Sequence, residues 1–154
     1  MESKKSTITN DLLASKGQRL FNFIIDAIIV YIIIAAIGVT VNLVGEITKT
    51  PALTDWVSSM NNNLMYLLII LITILYFAIT EVYFSRTFAK YFTKTMVVDV
   101  HGAKPSVNAI IKRTLCRFIP FEPFTFLGFN SRGWHDSFSK TYVVKKHLLL
   151  ERRP

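Results

Sequence analysis

Leu20–Val44, LFNFIIDAIIVYIIIAAIGVTVNLV, carries one charged side chain, Asp26. An α-helix rises 1.5 Å per residue and a bilayer's hydrocarbon core is about 30 Å thick, so roughly 20 apolar residues cross it. Leu64–Phe84, LMYLLIILITILYFAITEVYF, repeats the pattern with Glu81 as its one charge. A buried helix of a soluble protein is the bland alternative, but two such runs leave too few polar residues in a 154-residue chain to cover them in water. The first run is also longer than a signal peptide's apolar stretch of about 7–15 residues, and no A-x-A-like cleavage site follows it. The expected fold is therefore mainly α and integral to a membrane. Residues 20–44 and 64–84 are transmembrane helices, 1–19 a cytoplasmic N-terminus, 45–63 an external loop and 85–154 a basic cytoplasmic and interfacial segment, all within one domain.

The net charge of +8 is unevenly placed. Lys4, Lys5, Lys16 and Arg19 precede the first run, Lys49 alone lies between the two, and 13 Lys and Arg follow the second. Lys and Arg accumulate on the cytoplasmic side, which predicts both termini inside. The basic tail is open to two readings, nucleic acid or anionic lipid headgroups. No nucleic-acid module is visible, and headgroups account for the charge more simply. Cys116 is the one cysteine, so no intramolecular disulfide forms.

Further along the chain, Thr9, Asn10 or Asp11 is expected to cap the first helix, and Thr50–Pro51 to start a short external one. Met96–Val100 and Thr141–Lys145 are β-branched and are predicted to pair as short strands. Ser106 begins an amphipathic helix with Val107, Ile110, Ile111, Leu115 and Phe118 on one face and Lys112, Arg113 and Arg117 away from its centre. That pattern predicts a helix lying in the cytoplasmic interface, followed by an aromatic stretch, Phe121–Phe129, that dips into the headgroups. A third span over 107–129 is the rival; its internal charges and two prolines oppose it.

Ionisable residues inside a membrane are costly and mark function by default. Arg19, Asn22 and Asp26 are spaced i, i+3, i+7 and share a helix face. Thr73, Tyr76, Thr80 and Tyr83 make a second polar stripe, with Glu81 beside it, close enough to the boundary to be solvated and to pair with Arg86. For Asp26 the bland reading is an ion pair that fixes helix packing, with Thr and Tyr hydroxyls bonding between helices. The sharper one is proton or cation binding. Trp134, His135 and Asp136 form the remaining polar cluster, in which Asp136 either caps a short helix or reaches a basic residue near the first span. His101, His135 and His147 lack metal-ligand spacing, no phosphate loop or nucleophile motif appears, and the expectation is a protein without metal, cofactor or enzymatic activity.

Ser15–Lys16–Gly17–Gln18–Arg19, Asp26, Gly133–Trp134–His135–Asp136 and Thr141–Tyr142–Val143–Val144 together resemble the RDD family, named for one arginine and two aspartates. Arg19, Asp26 and Asp136 match those three. Arg86–Lys90, Met96–Val98 and Gly102–Ser106 resemble its middle motifs. Phe88–Ala89 stand where Pro-Gly is common, and Lys94 where glycine is frequent, which is expected to relax a tight turn. Cys116–Glu122 resembles the Bacteroidetes type. The resemblance implies a protein of the bacterial inner membrane and, for some members, sodium/proton exchange. Arg19, Asp26 and Asp136 are then a ligand-binding or structural charge cluster, with Asn22, Thr80, Glu81, Trp134 and His135 as secondary candidates. Two functions are open: transport of an ion or small ligand, which two spans can perform only as a homo-oligomer or with a partner, and a non-transporting module that scaffolds, assembles or regulates another membrane protein.

Overall fold

The structure is a computed structural model, described over residues 8–125 and 132–151. The elements are α1 (Lys16–Thr48), α2 (Ala52–Ser58), α3 (Asn62–Phe84), α4 (Phe88–Phe92), β1 (Thr95–Asp99), α5 (Val107–Cys116), α6 (Glu122–Thr125), α7 (Trp134–Phe138), β2 (Thr141–Lys145) and α8 (Lys146–Glu151), with a 3-10 turn at Asn10–Leu12. Only α1 and α3 are long and apolar enough, among the described residues, to cross a membrane. Just 6% and 22% of their most apolar windows are buried, so neither is the enclosed core helix of a soluble protein.

Two compact units divide the chain, Ala27–Tyr76 and the remainder. The first comprises most of α1 and α3 with α2 between them. Its buried side chains are Val30 and Tyr76, and Gly45 lets α2 approach, since a Cβ there would meet the Thr54 methyl at 2.7 Å. Asn61 starts α3 by accepting the Leu64 N–H at 2.9 Å. Pro51, not Thr50, precedes α2, and no side chain caps that helix. Thr40 and Thr73 donate to the carbonyls four residues back on their own helices, Ala36 and Ile69. These hydroxyls therefore do not bond between helices as the sequence suggested; a Thr in a helix satisfies itself most cheaply on the preceding turn.

The second unit holds everything else. The start of α1 is capped by Ser15, not by Thr9, Asn10 or Asp11. Gln18 N–H donates to Ser15 Oγ at 3.2 Å and Ser15 N–H donates to Gln18 Oε1 at 2.9 Å, a reciprocal box that satisfies two otherwise orphaned donors. β1 and β2 pair antiparallel from Thr95↔Lys145 to Asp99↔Thr141, one residue earlier on β1 than predicted. Ala14 N–H adds to the edge by donating to Val143 O. A small apolar core of Leu12, Val98, Val144 and Leu149 covers this sheet.

Helix α5 begins where the sequence placed it, with Ser106 Oγ accepting the Ala109 N–H. It stops at Cys116 after about 15 Å, half a bilayer core. Phe121 then turns in the left-handed region and α6 is four residues long, so no third span runs through the described part of 107–129. The end of the aromatic stretch, 126–129, lies outside the described residues.

Candidate functional site: a buried ion-pair chain

Polarity inside the second unit is concentrated on one chain of ion pairs. Glu81, fully buried one turn from the end of α3, accepts from Lys90 Nζ at 2.8 Å, Arg113 Nε at 3.0 Å and Arg117 Nη2 at 2.9 Å. Arg113 turns its Nη1 to Asp136 on α7 and to the Thr141 hydroxyl, the latter at 2.7 Å. Asp136 receives Arg19 of α1 on its other oxygen. The sequence Lys90–Glu81–Arg113–Asp136–Arg19 thus links α4, α3, α5, α7 and α1. Arg117 also lies 4.0 Å over the Phe77 ring, a cation–π contact.

Arg113 is wholly buried and is the hub. The sequence reading placed Arg113 and Arg117 off the working face of α5, and the structure corrects it: the inward face is Ile110, Arg113 and Thr114, while Val107, Ile111 and Leu115 point outward. The available signal was Glu81, a carboxylate in an apolar run that needs a cation, and two arginines one helical turn apart. Glu81 is not solvated, and Arg86 does not pair with it; Arg86 stacks 3.9 Å over Tyr91.

Asp26 has a different environment. It accepts the Thr87 hydroxyl at 2.7 Å and the Ala89 N–H at 3.4 Å, so it caps α4 from a neighbouring helix. Thr87 at the N-cap makes no side-chain cap of its own. Asn22 joins the same face through Thr93 and Thr95, at 2.8 and 3.2 Å. The face Arg19–Asn22–Asp26 is buried throughout, yet it divides its partners: Arg19 meets Asp136, Asn22 the threonines before β1, Asp26 the start of α4. Thr80 donates to Phe77 O within its own helix at 3.3 Å, and Trp134 stays half exposed. Asp136 lies inside α7, where Gly133 occupies the N-cap, so it does not cap that helix.

His135 is held by Glu122, which bonds both its Nδ1 and its backbone N–H. A Cβ on Gly133 would sit 2.8–2.9 Å from this pair. Burial, together with the positive field of Arg113, pushes the imidazole below its ordinary pKa despite the nearby carboxylates. The neutral ring donates Nδ1–H to Glu122. Although burial alone would raise it, Asp136 is held well below the usual carboxylate range by Arg113 and Arg19, joined by His135 once the imidazole is protonated. Burial lowers Lys90, with Glu81 opposing, and the two carboxylates raise Arg113.

Acceptors, not donors, run out first. Buried Arg19 Nε and Nη2, Arg113 Nη2 and Arg117 Nε have no hydrogen-bond partner, whereas Glu81 has three cations and Asp136 two.

These features define a small, mostly helical protein with two candidate membrane-spanning helices and a late Trp-His-Asp helix pinned by arginine to the start of the first. The chain belongs to the RDD family, a family of membrane proteins, whose model matches residues 13–141. That stretch starts just before the Ser15–Gln18 box and ends on the first residue of β2. Neither the curated proteins nor the solved structures contain a match to the chain.

Proposed function

We propose that this protein is a non-transporting module of the bacterial inner membrane, not an enzyme, which scaffolds, assembles or regulates a partner membrane protein. In this reading α1 and α3 are the spans, both termini are cytoplasmic, and the basic ends rest against anionic headgroups with α5 in the interface. The observation that carries it is the saturation of the carboxylates. A cation carrier needs spare acceptors that open and close, whereas here Glu81 and Asp136 are committed to arginine and lysine and the spare groups are N–H donors. Buried ion pairs of this kind favour one arrangement of helices more than they add stability.

Transport by an oligomer is the second reading, and Asp26 favours it: a carboxylate well inside a span, held by a hydroxyl and a backbone N–H. Sodium and proton flux into liposomes separates the two. Wild type is expected to match empty vesicles. Flux that wild type supports and Asp26→Asn abolishes would overturn the module. Topology is checked by cysteine labelling in a Cys116→Ser background: Ser58→Cys is expected to react with an impermeant reagent outside intact cells, and Ser137→Cys only after permeabilisation.

A further inference from the structure

Helix α5 has three faces, and the ion-pair chain uses one of them. At 100° per residue, Ile110, Arg113, Thr114 and Arg117 occupy about 100° of arc directed inward. Val107, Ile111, Leu115 and Phe118 occupy an adjoining stripe of about 80°. They are 53%, 46%, 54% and 40% exposed, too much for side chains of a packed core. Asn108, Lys112 and Cys116 make the third, polar face.

The inward contacts fix the depth of this helix. Arg113 and Arg117 both hold Glu81, three residues before the end of α3, and Arg117 covers Phe77, seven residues before it. On a 1.5 Å rise these points lie about 5 and 10 Å below the end of the span. Lys104, just ahead of α5, reaches the Tyr83 carbonyl at 3.5 Å. So α5 is tied to the last two turns of α3 through the ends of its arginine side chains. Ile79, Tyr83 and Phe84 are exposed on those same turns of α3.

From this depth we infer that the stripe Val107–Ile111–Leu115–Phe118 is a lipid-binding surface that takes the acyl chains of the leaflet on the side of the termini, with Lys112 at the phosphate level. The inference rests on α1 and α3 being membrane spans. A second copy of the chain is the weaker occupant, because four partly exposed side chains fall well short of the roughly 800 Å² per partner of a stable interface. Polar residues border the stripe on both sides, which suits an amphipathic helix at a lipid–water boundary.

Nitroxide labels at Leu71, Ile111, Lys112 and Leu115, each as a single cysteine in Cys116→Ser protein, test this in phosphatidylethanolamine–phosphatidylglycerol vesicles. Collision with oxygen is expected to exceed collision with a nickel chelate at positions 71, 111 and 115, with 111 and 115 shallower than 71, and the order to reverse at 112. If position 71 itself collides with nickel, the spans are wrong. If 71 is lipid-exposed while 111 and 115 collide with nickel, the stripe faces water and the lipid surface is refuted alone. Low collision with both reagents at 111 and 115, relieved by dilution of protein in lipid, assigns the stripe to a second copy and equally refutes it. Lysine at either stripe position provides a second measurement: Ile111→Lys and Leu115→Lys are expected to reduce membrane-inserted yield while Lys112→Gln leaves it unchanged, and equal yields for all three would also count against the proposal.

Discussion

The two units solve the same problem, holding helices in place, with opposite materials. Ala27–Tyr76 buries almost nothing of its own, and Tyr31, Leu67 and Leu71 stand at least half exposed. The other unit buries Arg19, Glu81, Lys90, Arg113 and Asp136 and pairs them tightly. Helices in hydrocarbon gain little from apolar contact, because lipid is as apolar as leucine, whereas a buried charge must find its partner or pay heavily. Specific geometry therefore accumulates where the charges are.

The sharpest way to break that contrast is to remove the hub. Arg113→Ala takes one cation from both Glu81, which keeps Lys90 and Arg117, and Asp136, which keeps Arg19, and is expected to cost about 3–5 kcal/mol, the range for one member of a buried pair. Leu71→Ala, on an exposed surface of the other unit, is expected to stay within about 0.5 kcal/mol in detergent. Thermal unfolding in detergent measures both. Similar losses for the two would mean that the polar chain does not hold the protein together.

A double-mutant cycle locates the coupling within the face Arg19–Asn22–Asp26. Arg19→Ala with Asp136→Asn is expected to be non-additive by about 0.5–3 kcal/mol, since the two share a buried contact. Arg19→Ala with Asp26→Asn is expected to be additive within about 0.5 kcal/mol, as Arg19 bonds Asp136 while Asp26 bonds Thr87 and Ala89, and i, i+7 places them some 10 Å apart. Coupling in the second pair and none in the first would reverse the site description. Spacing shows that Arg19 and Asp26 share a helix face, but not that α4 arrives at Asp26 and α7 at Arg19.

The apolar runs, the two strands and the start of α5 were legible because each rests on local periodicity and propensity. Arg113 was not, because its role depends on which way α5 is rolled, and the roll is set by Glu81, 32 residues earlier. A helix with a buried ionic edge beside an exposed apolar stripe inverts the rule that places the hydrophobic face inward.

Acid should act on the second unit. His135 has its folded pKa below its ordinary value of 6.5, so stability is full above the unfolded pKa and falls as pH drops through that value towards the folded one. Asp136 is depressed as well; its contribution persists to lower pH and disappears as pH falls from the usual carboxylate range through its folded pKa. Melting temperature is thus expected to decline from pH 7 to 5, and His135→Gln to flatten that decline while leaving a steeper loss below about pH 4. An unchanged slope in His135→Gln would show that the imidazole is not buried neutral.

The smallest effect compares two left-handed lysines, one in each unit. Lys94 has φ 53° and Lys49 φ 51°. The family's frequent glycine at position 94 led to the expectation of a relaxed turn, but the turn is kept and the lysine takes the conformation that glycine favours. An L-residue there pays about 1–2 kcal/mol, and glycine gives part of that back through its freer unfolded chain. The gain appears in global stability only if the turn is lost when the unit unfolds. Lys94 is locked on both sides, its N–H on Tyr91 O at 3.2 Å and its carbonyl on Lys146 N at 2.9 Å, between α4 and the sheet. Lys49 closes a local turn on Glu46 O at 3.3 Å just past the end of α1. Lys94→Gly is accordingly expected to raise the unfolding free energy by up to about 1 kcal/mol, and Lys49→Gly to leave it within about 0.5 kcal/mol. The ordering of the two is the test: if Lys49→Gly stabilises as much as Lys94→Gly, the end of α1 melts together with the polar unit, and the energetic division between the two regions falls.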